Sequence, residues 1–208
     1  MKLTTPSRNK EETRAFLEGK PSDYSVPGFI VPHGYRLLSG TDKVTEEGIV
    51  KNICLVTDSA NDSETVYKVK LIVRSEPNSY LPCKNCTQLI VWRAVGGRHS
   101  AVTSGFPAKI FNHLLDNYDI MITDEQQTSD GKRFWMDRIG EAIELPAQHV
   151  YYVDLNNLDD EMSPIVEGIS DFEDFITEFE PKGWGNDEEH RNRAFMISKS
   201  DLSTLISK

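Results

Sequence analysis

The segment from Thr87 to Leu155 constrains the fold more than any other part of the chain. It begins with the apolar run TQLIVWRAV and ends with HVYYVDL, and two amphipathic segments separated by DIMITD lie between them. Short apolar runs predict strands, whereas apolar residues spaced three and four apart predict helices. The segment therefore predicts strand, helix, strand, helix, strand, and the helical connection predicts that the first two strands are parallel.

The predicted elements are, in order, Leu89–Val95, Pro107–Tyr118, Ile120–Thr123, Asp130–Leu145 and His149–Leu155. The first strand is apolar on nearly all of both faces, so we expect it in the middle of a sheet with helices on both sides. The first helix begins at Pro107, a favourable first-turn residue, and Ser129 or Asp130 caps the second. Gly140 in the second helix predicts close packing, since glycine costs a helix about 1 kcal/mol relative to alanine.

Before this segment the chain predicts an antiparallel hairpin. Gly48–Thr57 and Val66–Arg74 have strand patterns, the second with one buried and one solvent-facing side, and DSANDSET between them has the composition of a turn. Further upstream, prolines and glycines exclude a helix and leave a short strand near Tyr35–Leu38. The polar residues 1–24 contain one weak helical segment, Lys10–Leu17, which we expect to fray.

After the last core strand the chain becomes strongly acidic. Asn156–Glu180 holds nine acidic residues and no basic one, and four apolar residues within it have helical spacing, which predicts an amphipathic helix with an acidic outer face. Those residues are Phe172, Phe175, Ile176 and Phe179. RAFMIS predicts a last strand, and Asp201 predicts a cap for a closing helix. We expect a polar N-terminal segment (1–24), a mixed α/β core (25–155) and an acidic C-terminal extension packed on the core (156–208).

The composition excludes several functional classes. A net charge of −10 and a pI of about 5.0 work against nucleic-acid binding, because phosphates must be met by clustered basic residues. No apolar run approaches the roughly 18 residues of a membrane span, and the N-terminus lacks the apolar core of a signal peptide. Three cysteines are too few for a disulfide framework. We therefore expect a cytoplasmic protein that binds neither nucleic acid nor membrane.

The loop between the first core strand and its helix, GGRHSAVTSGF, is the first candidate site. Glycines let backbone N–H groups approach a phosphate, and a helix N-terminus favours an anion. The loop therefore predicts a site for the diphosphate of a nucleotide-like cofactor, although a long connection that only lets the chain turn has the same composition. The candidate cofactor-binding residues are Val95, Gly96, Gly97, Arg98, Ser104 and Gly105.

A second candidate site follows the second parallel strand. Asp124, Gln126, Gln127 and Thr128 lie at its carboxyl end, where ligands tend to bind in open α/β sheets, but the same residues can also cap the next helix. Tyr151 and Tyr152 alternate on the last core strand, so at most one of them faces a site.

The cysteines and histidines give weaker patterns. Cys83 and Cys86 have zinc or redox spacing, but only Cys54 and scattered histidines are left to complete a zinc site, and no helix begins at the pair. The five histidines show no paired spacing. We therefore predict no metal and treat the pair as ordinary loop cysteines.

The order of the elements from Gly48 to Leu155 resembles the GNAT superfamily of acyl-CoA-dependent N-acetyltransferases. In that family antiparallel strands lead to a central strand, an anion-binding turn and helix, a strand splayed away from the first, a second helix and closing strands. The stretch DEQQTSDGKRFWMDRI looks like the Asp, Gln, Ser or Thr, Gly, Trp segment of some GNAT-like proteins, including many encoded by phages. The resemblance implies a GNAT-like mixed sheet, with antiparallel N-terminal strands and then a parallel strand–helix–strand unit.

The resemblance also implies acetyl-CoA as cofactor. The family's cofactor loop has Arg or Gln, two residues, Gly, one residue, then Gly or Ala, and here Arg93-Ala-Val-Gly96-Gly97-Arg98 matches the first Arg and Gly. Arg98 stands at the last small position, and the helix begins further on, at Pro107. Asp124 and Tyr152 are the candidates near the reacting amine, whose proton a base removes.

Two functions follow from the resemblance. The first is N-acetyl transfer to a small-molecule or protein amine. The alternative is a catalytically inactive GNAT-like phage or mobile-element protein that binds a host protein through its acidic surface, and an acidic mimic of DNA is a third reading of the same charge.

Overall fold

A computed structural model describes residues 6–59, 62–74, 86–94, 97–123, 129–158, 164–185 and 192–203. The chain folds into two compact units, each built from two stretches. Unit 1 comprises Met1–Val73 and Leu89–Leu114, and unit 2 comprises Arg74–Gln88 and Leu115–Lys208. The predicted boundaries near residues 24 and 155 stay a prediction.

Unit 1 is built on antiparallel strands. Its elements are helix α1 (Pro6–Glu18), strands β1 (Ser22–Asp23), β2 (Tyr35–Ser39), β3 (Lys43–Thr45), β4 (Gly48–Thr57), β5 (Thr65–Val73) and the end of β6 (Cys86–Arg93), then a 3-10 turn (Gly97–His99), α2 (Ser100–Thr103) and α3 (Phe106–Leu115) up to Leu114. The strand order is β1-β2-β4-β5-β6, with β3 also paired to β4. The antiparallel pairing of β4 with β5 confirms the predicted hairpin, and β2 confirms the short upstream strand.

One side of the hairpin is less exposed than the alternation predicts. Lys68 and Lys70 are half-buried, and Val66 and Ile72 on the same face of β5 are buried. The reason is α1, whose Phe16 belongs with Lys68 to the lining of one small cavity. Long lysine stems cover apolar surface while their charged ends reach water, so the face tolerates both residue types.

Helix α1 is longer than the predicted Lys10–Leu17 and is held by polar side chains. Asn9 and Thr13, one turn apart, are buried against the first residue of β5. The Asn9 amide donates to Thr65 O at 2.9 Å and accepts from Thr65 N at 3.0 Å, and Thr13 Oγ1 lies 2.7 Å from Thr65 Oγ1. Phe16 and Leu17 add apolar contacts to a cluster of buried residues in β2 and β4. The polar residues of α1, which led us to expect fraying, are therefore the ones that attach the helix to β5.

Unit 2 contains the parallel pair. Its elements are the start of β6, then β7 (Asp119–Thr123), α4 (Ser129–Glu144), β8 (His149–Leu158), β9 (Pro164–Ile169), a helical segment made of α5 (Phe172–Asp174), a π-helical turn (Phe175–Phe179) and α6 (Glu180–Gly183), and β10 (Arg193–Ser198). The strand order is β6-β7-β10-β8-β9. β6 and β7 are parallel, as predicted, in register from Cys86 opposite Asp119 to Gln88 opposite Met121. The pairs of β10 with β7 and β8, and of β8 with β9, are antiparallel.

The acidic segment folds into unit 2 as a strand and a helix. The sequence did not predict β9, but it did predict the helix, and Phe175 and Phe179 are buried as expected. Phe195 of β10 is fully buried among the rings of Phe175, Trp184 and Tyr152, with centroids 5.3, 4.9 and 5.8 Å away.

Helices α3 and α4 lie where the sequence predicts them, although α3 ends at Leu115 and not at Tyr118. In α3 Ile110, Phe111 and Leu114 are buried, and in α4 Ile139 and Ala142 are buried. A Cβ added to the glycine at position 140 would lie 3.1 Å from a ring carbon of the phenylalanine at 172, which confirms close packing there. Within the described ranges no helix combines the length and the apolar character needed to cross a membrane.

The chain is therefore a mixed α/β protein. Among the strand pairs with a described register, β6 with β7 is the one parallel pair, and the others are antiparallel.

Candidate functional site

The predicted cofactor loop is more ordered than its composition suggests. Gly97–His99 form a 3-10 turn and Ser100–Thr103 a short helix, which Ser104 ends by donating its N–H to Ser100 O at 2.9 Å. Gly105 has φ +72°, a conformation that side chains disfavour, and it lets the chain turn into α3. Val95 and Gly96 lie outside the described residues.

The turn places Arg98 and His99 beside residues from the other strands of unit 1. The Arg98 guanidinium donates to the Glu64 carboxylate, and its side chain is 74% exposed. His99 Nε2 lies 2.8 Å from Glu64 Oε1, and His99 Nδ1 lies 3.0 Å from the Tyr35 hydroxyl. We call Tyr35, Glu64, Arg98 and His99 the Tyr35 cluster. The Glu64 and His99 side chains are 16% and 11% exposed, so the centre of the cluster is largely shielded from water.

Strand register brings the cluster together. Tyr35 begins β2 and is paired with Thr57, the last residue of β4. Glu64 directly precedes β5; its N–H donates to Thr57 Oγ1 at 2.9 Å, and its carbonyl accepts from Thr57 N at 3.0 Å. The beginnings of β2 and β5 and the end of β4 therefore lie at one end of the strands, and the turn after β6 adds His99.

Two groups approach His99 Nε2: the Glu64 carboxylate at 2.8 Å and the Arg98 Nε–H, which donates to a lone pair, at 3.2 Å. The shorter contact, with the carboxylate, favours an N–H at Nε2, and this leaves Nδ1 as an acceptor for the Tyr35 hydroxyl. Burial, and secondarily the charge of Arg98, lower the pKa of His99, so the imidazole is neutral at neutral pH. The result is a carboxylate, imidazole and hydroxyl in sequence, the order by which serine hydrolases activate a hydroxyl.

A cleft of ≈ 380 Å³ adjoins the same end of the strands. Its lining includes Arg36, Thr57 and Ser63, which are neighbours or partners of the cluster residues, together with Lys20 and Asp58. Its size suits a small polar ligand, and its lining carries both charges.

The other predicted residues lie elsewhere. Tyr152 is buried in unit 2, where its hydroxyl donates to Asp154 Oδ2 at 3.3 Å, and burial followed by the Asp154 charge raises its pKa. Asp154 also accepts from Arg193 Nε at 3.3 Å and from Asn157 Nδ2 at 2.9 Å. Tyr152 thus belongs to a buried polar network, and whether it meets an amine stays a prediction. Asp124, together with the polar residues at 126–128, lies outside the described residues.

Of the three cysteines, Cys54 is the one whose side chain the structure describes. Cys54 is free and buried, and burial raises the pKa of its thiol to about 12. Cys83 and the side chain of Cys86 lie outside the description. Among the described residues, no group of three or more His, Cys, Asp or Glu side chains is placed to hold a metal ion.

Sequence reasoning found Arg98 but missed Tyr35, Glu64 and His99 as partners. The three lie far apart in the chain, and only the pairing of β2, β4 and β5 brings them together. The contact that joins residues close in the chain is the pair of hydrogen bonds between Thr57 and Glu64, which closes the described part of the β4–β5 turn.

Comparison with protein-family models, with curated proteins and with solved structures gives no match.

Proposed function

We propose that this protein is a GNAT-like acyl-CoA-dependent N-acetyltransferase. The observation that carries the proposal is the parallel pair of β6 and β7 joined by α3, preceded by the antiparallel strands β2, β4 and β5. After β7 come α4 and the closing strands β8 and β10. This is the element order expected of a GNAT-like mixed sheet.

The turn after β6 offers groups that suit the diphosphate of acetyl-CoA. Arg98 presents an exposed guanidinium, and a Cβ built on Gly97 meets nothing within 4 Å, so the backbone at Gly97 is open to a ligand. Guanidinium groups bind phosphate oxygens through two parallel hydrogen bonds. Because Arg98 is paired with Glu64, a bound anion must compete with that carboxylate. The assignment of Val95, Gly96, Ser104 and Gly105 to the same cofactor-binding set, and of Asp124 to the amine, comes from the sequence and stays a prediction.

Isothermal titration with acetyl-CoA tests the proposal. We expect measurable heat for the wild-type protein and affinity weakened about tenfold or more in Arg98→Ala, since a hydrogen bond to a charged group contributes about 1.5–3 kcal/mol. Arg133→Ala, at an exposed position of α4, is the matched control and should bind like wild type. Absence of heat at millimolar acetyl-CoA contradicts the proposal.

The alternative, a protein that grips a basic partner, is favoured by one observation. Glu167, Asp171, Glu173 and Asp174 are all exposed and follow one another from β9 into the helix. Deletion of 156–180 is not a clean test, because it removes Phe175 from the core of unit 2. Glu173→Gln combined with Asp174→Asn removes charge and leaves the helix intact. Under this alternative the wild-type protein binds polylysine in a salt-sensitive manner, and the double substitution abolishes that binding. Titration of the wild-type protein with acetyl-CoA then gives no heat.

A further inference from the structure

We propose that Tyr35 is the acid–base residue of the acyl transfer, with His99 and Glu64 as the positioning residues that accept and stabilise its proton. This inference rests on the proposed function, because it assigns the proton transfer of that reaction. It moves the chemistry away from Tyr152, whose hydroxyl is bonded to Asp154 inside unit 2.

The first argument is the direction of the hydrogen bonds. Glu64 Oε1 lies 2.8 Å from His99 Nε2, closer than Arg98 Nε at 3.2 Å, and this shorter contact favours an N–H at Nε2. Nδ1 then carries the lone pair and lies 3.0 Å from the Tyr35 oxygen. The two rings lie edge-on, at 89° with centroids 5.8 Å apart. A phenol that donates to a neutral imidazole can lose its proton to it along an existing hydrogen bond, and the carboxylate stabilises the imidazolium that forms.

The second argument is accessibility. Tyr35 is half-buried, whereas the His99 and Glu64 side chains are nearly covered. The outer member of the chain of hydrogen bonds, Tyr35, is therefore the one that a substrate amine can reach.

The reaction balances with these three residues. The amine nitrogen attacks the thioester carbon and gives a proton to the Tyr35 oxygen, while the phenolic proton passes to His99 Nδ1. The carbon–sulfur bond then breaks, and the departing thiolate takes a proton from Tyr35, which recovers its own from His99. The products are the amide and the free thiol, and the protein returns to its starting state.

Arg98 makes the chain of hydrogen bonds responsive to the cofactor. Its charge sits on Glu64 and disfavours an imidazolium at His99. The charge of Arg98 also acts on the Asp62 carboxylate, which forms an ion pair with Lys10 at 2.6 Å. A diphosphate that draws Arg98 away leaves Glu64 to His99 alone, and the imidazole becomes a better proton acceptor when acyl-CoA is bound.

The test begins with side-chain nitrogen NMR of His99, which needs no substrate. We expect the neutral ring with its proton on Nε2, a shifted Nδ1 signal in Tyr35→Phe, and a change of tautomer in Glu64→Gln. Tyr24→Phe is the matched control: it removes the hydroxyl of the other Tyr–His contact of unit 1, 3.1 Å from His113 Nε2, and should leave the His99 signals unchanged. The proposal is overturned by a proton on His99 Nδ1 in the wild-type protein, or by His99 nitrogen signals that do not shift in Tyr35→Phe.

The kinetic part uses acetyl-CoA with butylamine and follows thiol release. We expect Tyr35→Phe to lower kcat about 100-fold or more with the KM for acetyl-CoA unchanged, and Tyr24→Phe to behave as wild type. His99→Asn should lower kcat and alter its pH profile. Wild-type kcat in Tyr35→Phe overturns the proposal, as does binding of acetyl-CoA without thiol release at neutral or alkaline pH. Failure to bind acetyl-CoA at all removes the proposed function instead, and the two failures are thus distinct.

Discussion

Replacing Gly183 by alanine should destabilise unit 2. A Cβ at this position, the last of α6, would lie 2.5 Å from Cε2 and 2.6 Å from Cζ of Phe195. The Phe195 ring is 0% exposed and is enclosed by Phe175 and Trp184, so it cannot retreat. Overpacking of this kind costs about 1–3 kcal/mol. At about 2–4 °C per kcal/mol for a chain of this length, Tm should fall by about 2–12 °C.

The same substitution at Gly140 is the control. There a Cβ would lie 3.1 Å from Cε2 of Phe172, but that ring is 42% exposed and can move. Alanine also gains about 1 kcal/mol over glycine in a helix interior, so Gly140→Ala should melt at or above the wild-type temperature. Of these two glycine-to-alanine changes, both against phenylalanine rings, only Gly183→Ala should therefore lower Tm.

A double-mutant cycle isolates the clash. Phe195→Leu removes the ring atoms that meet the new Cβ, and by itself it costs stability through the cavity it leaves. In the Gly183→Ala background its cost should be smaller by about 1 kcal/mol or more, measured by chemical denaturation with circular dichroism. A Gly183→Ala protein that melts with wild type, or strictly additive effects, would refute the reasoning.

Three further predictions concern unit 1. Asn9→Ala removes the partner of the Thr65 carbonyl and should lower the free energy of unfolding by about 1–3 kcal/mol in urea; an unchanged midpoint contradicts the anchoring of α1. In a protein whose other two cysteines are serine, Cys54 should resist thiol reagents until the chain unfolds, because burial raises its pKa to about 12; rapid labelling of the folded protein is the contrary result. The folded-state pKa of His99 lies below its unfolded value of about 6.5, so the contribution of His99 to stability is complete above that pH and is lost as pH falls. His99→Gln should flatten the acid side of the stability curve, and an unaltered slope contradicts this.

Local periodicity explains what could be predicted from the sequence. Alternation located β4 and β5 to within a residue, and the apolar stripes located α3 and α4. The parallel pairing of β6 with β7 followed from the helix between them, because a tight turn cannot join parallel strands. These features depend on residues close together in the chain, where pattern and structure correspond directly.

Contacts between distant residues explain what could not be predicted. Helix α1 looked too polar to pack, yet its Asn9 serves as a partner for the backbone of Thr65. Strand β9 is a short run inside an acidic segment and becomes a strand only by pairing with β8. The Tyr35–His99–Glu64 chain depends on the registers of two strand pairs and on a turn, and no spacing in the sequence encodes it.

Arg98 joins the proposed cofactor loop to the Tyr35 cluster. A largely shielded carboxylate beside a neutral imidazole is costly unless a cation compensates it, and Arg98 supplies that cation. A small residue there would leave Glu64 to His99 alone. Arg98→Gly should therefore raise the pKa of His99 and, under the proposed function, weaken acetyl-CoA binding as well. A loop that only turns the chain would show the rise in the pKa of His99 without any change in acetyl-CoA binding.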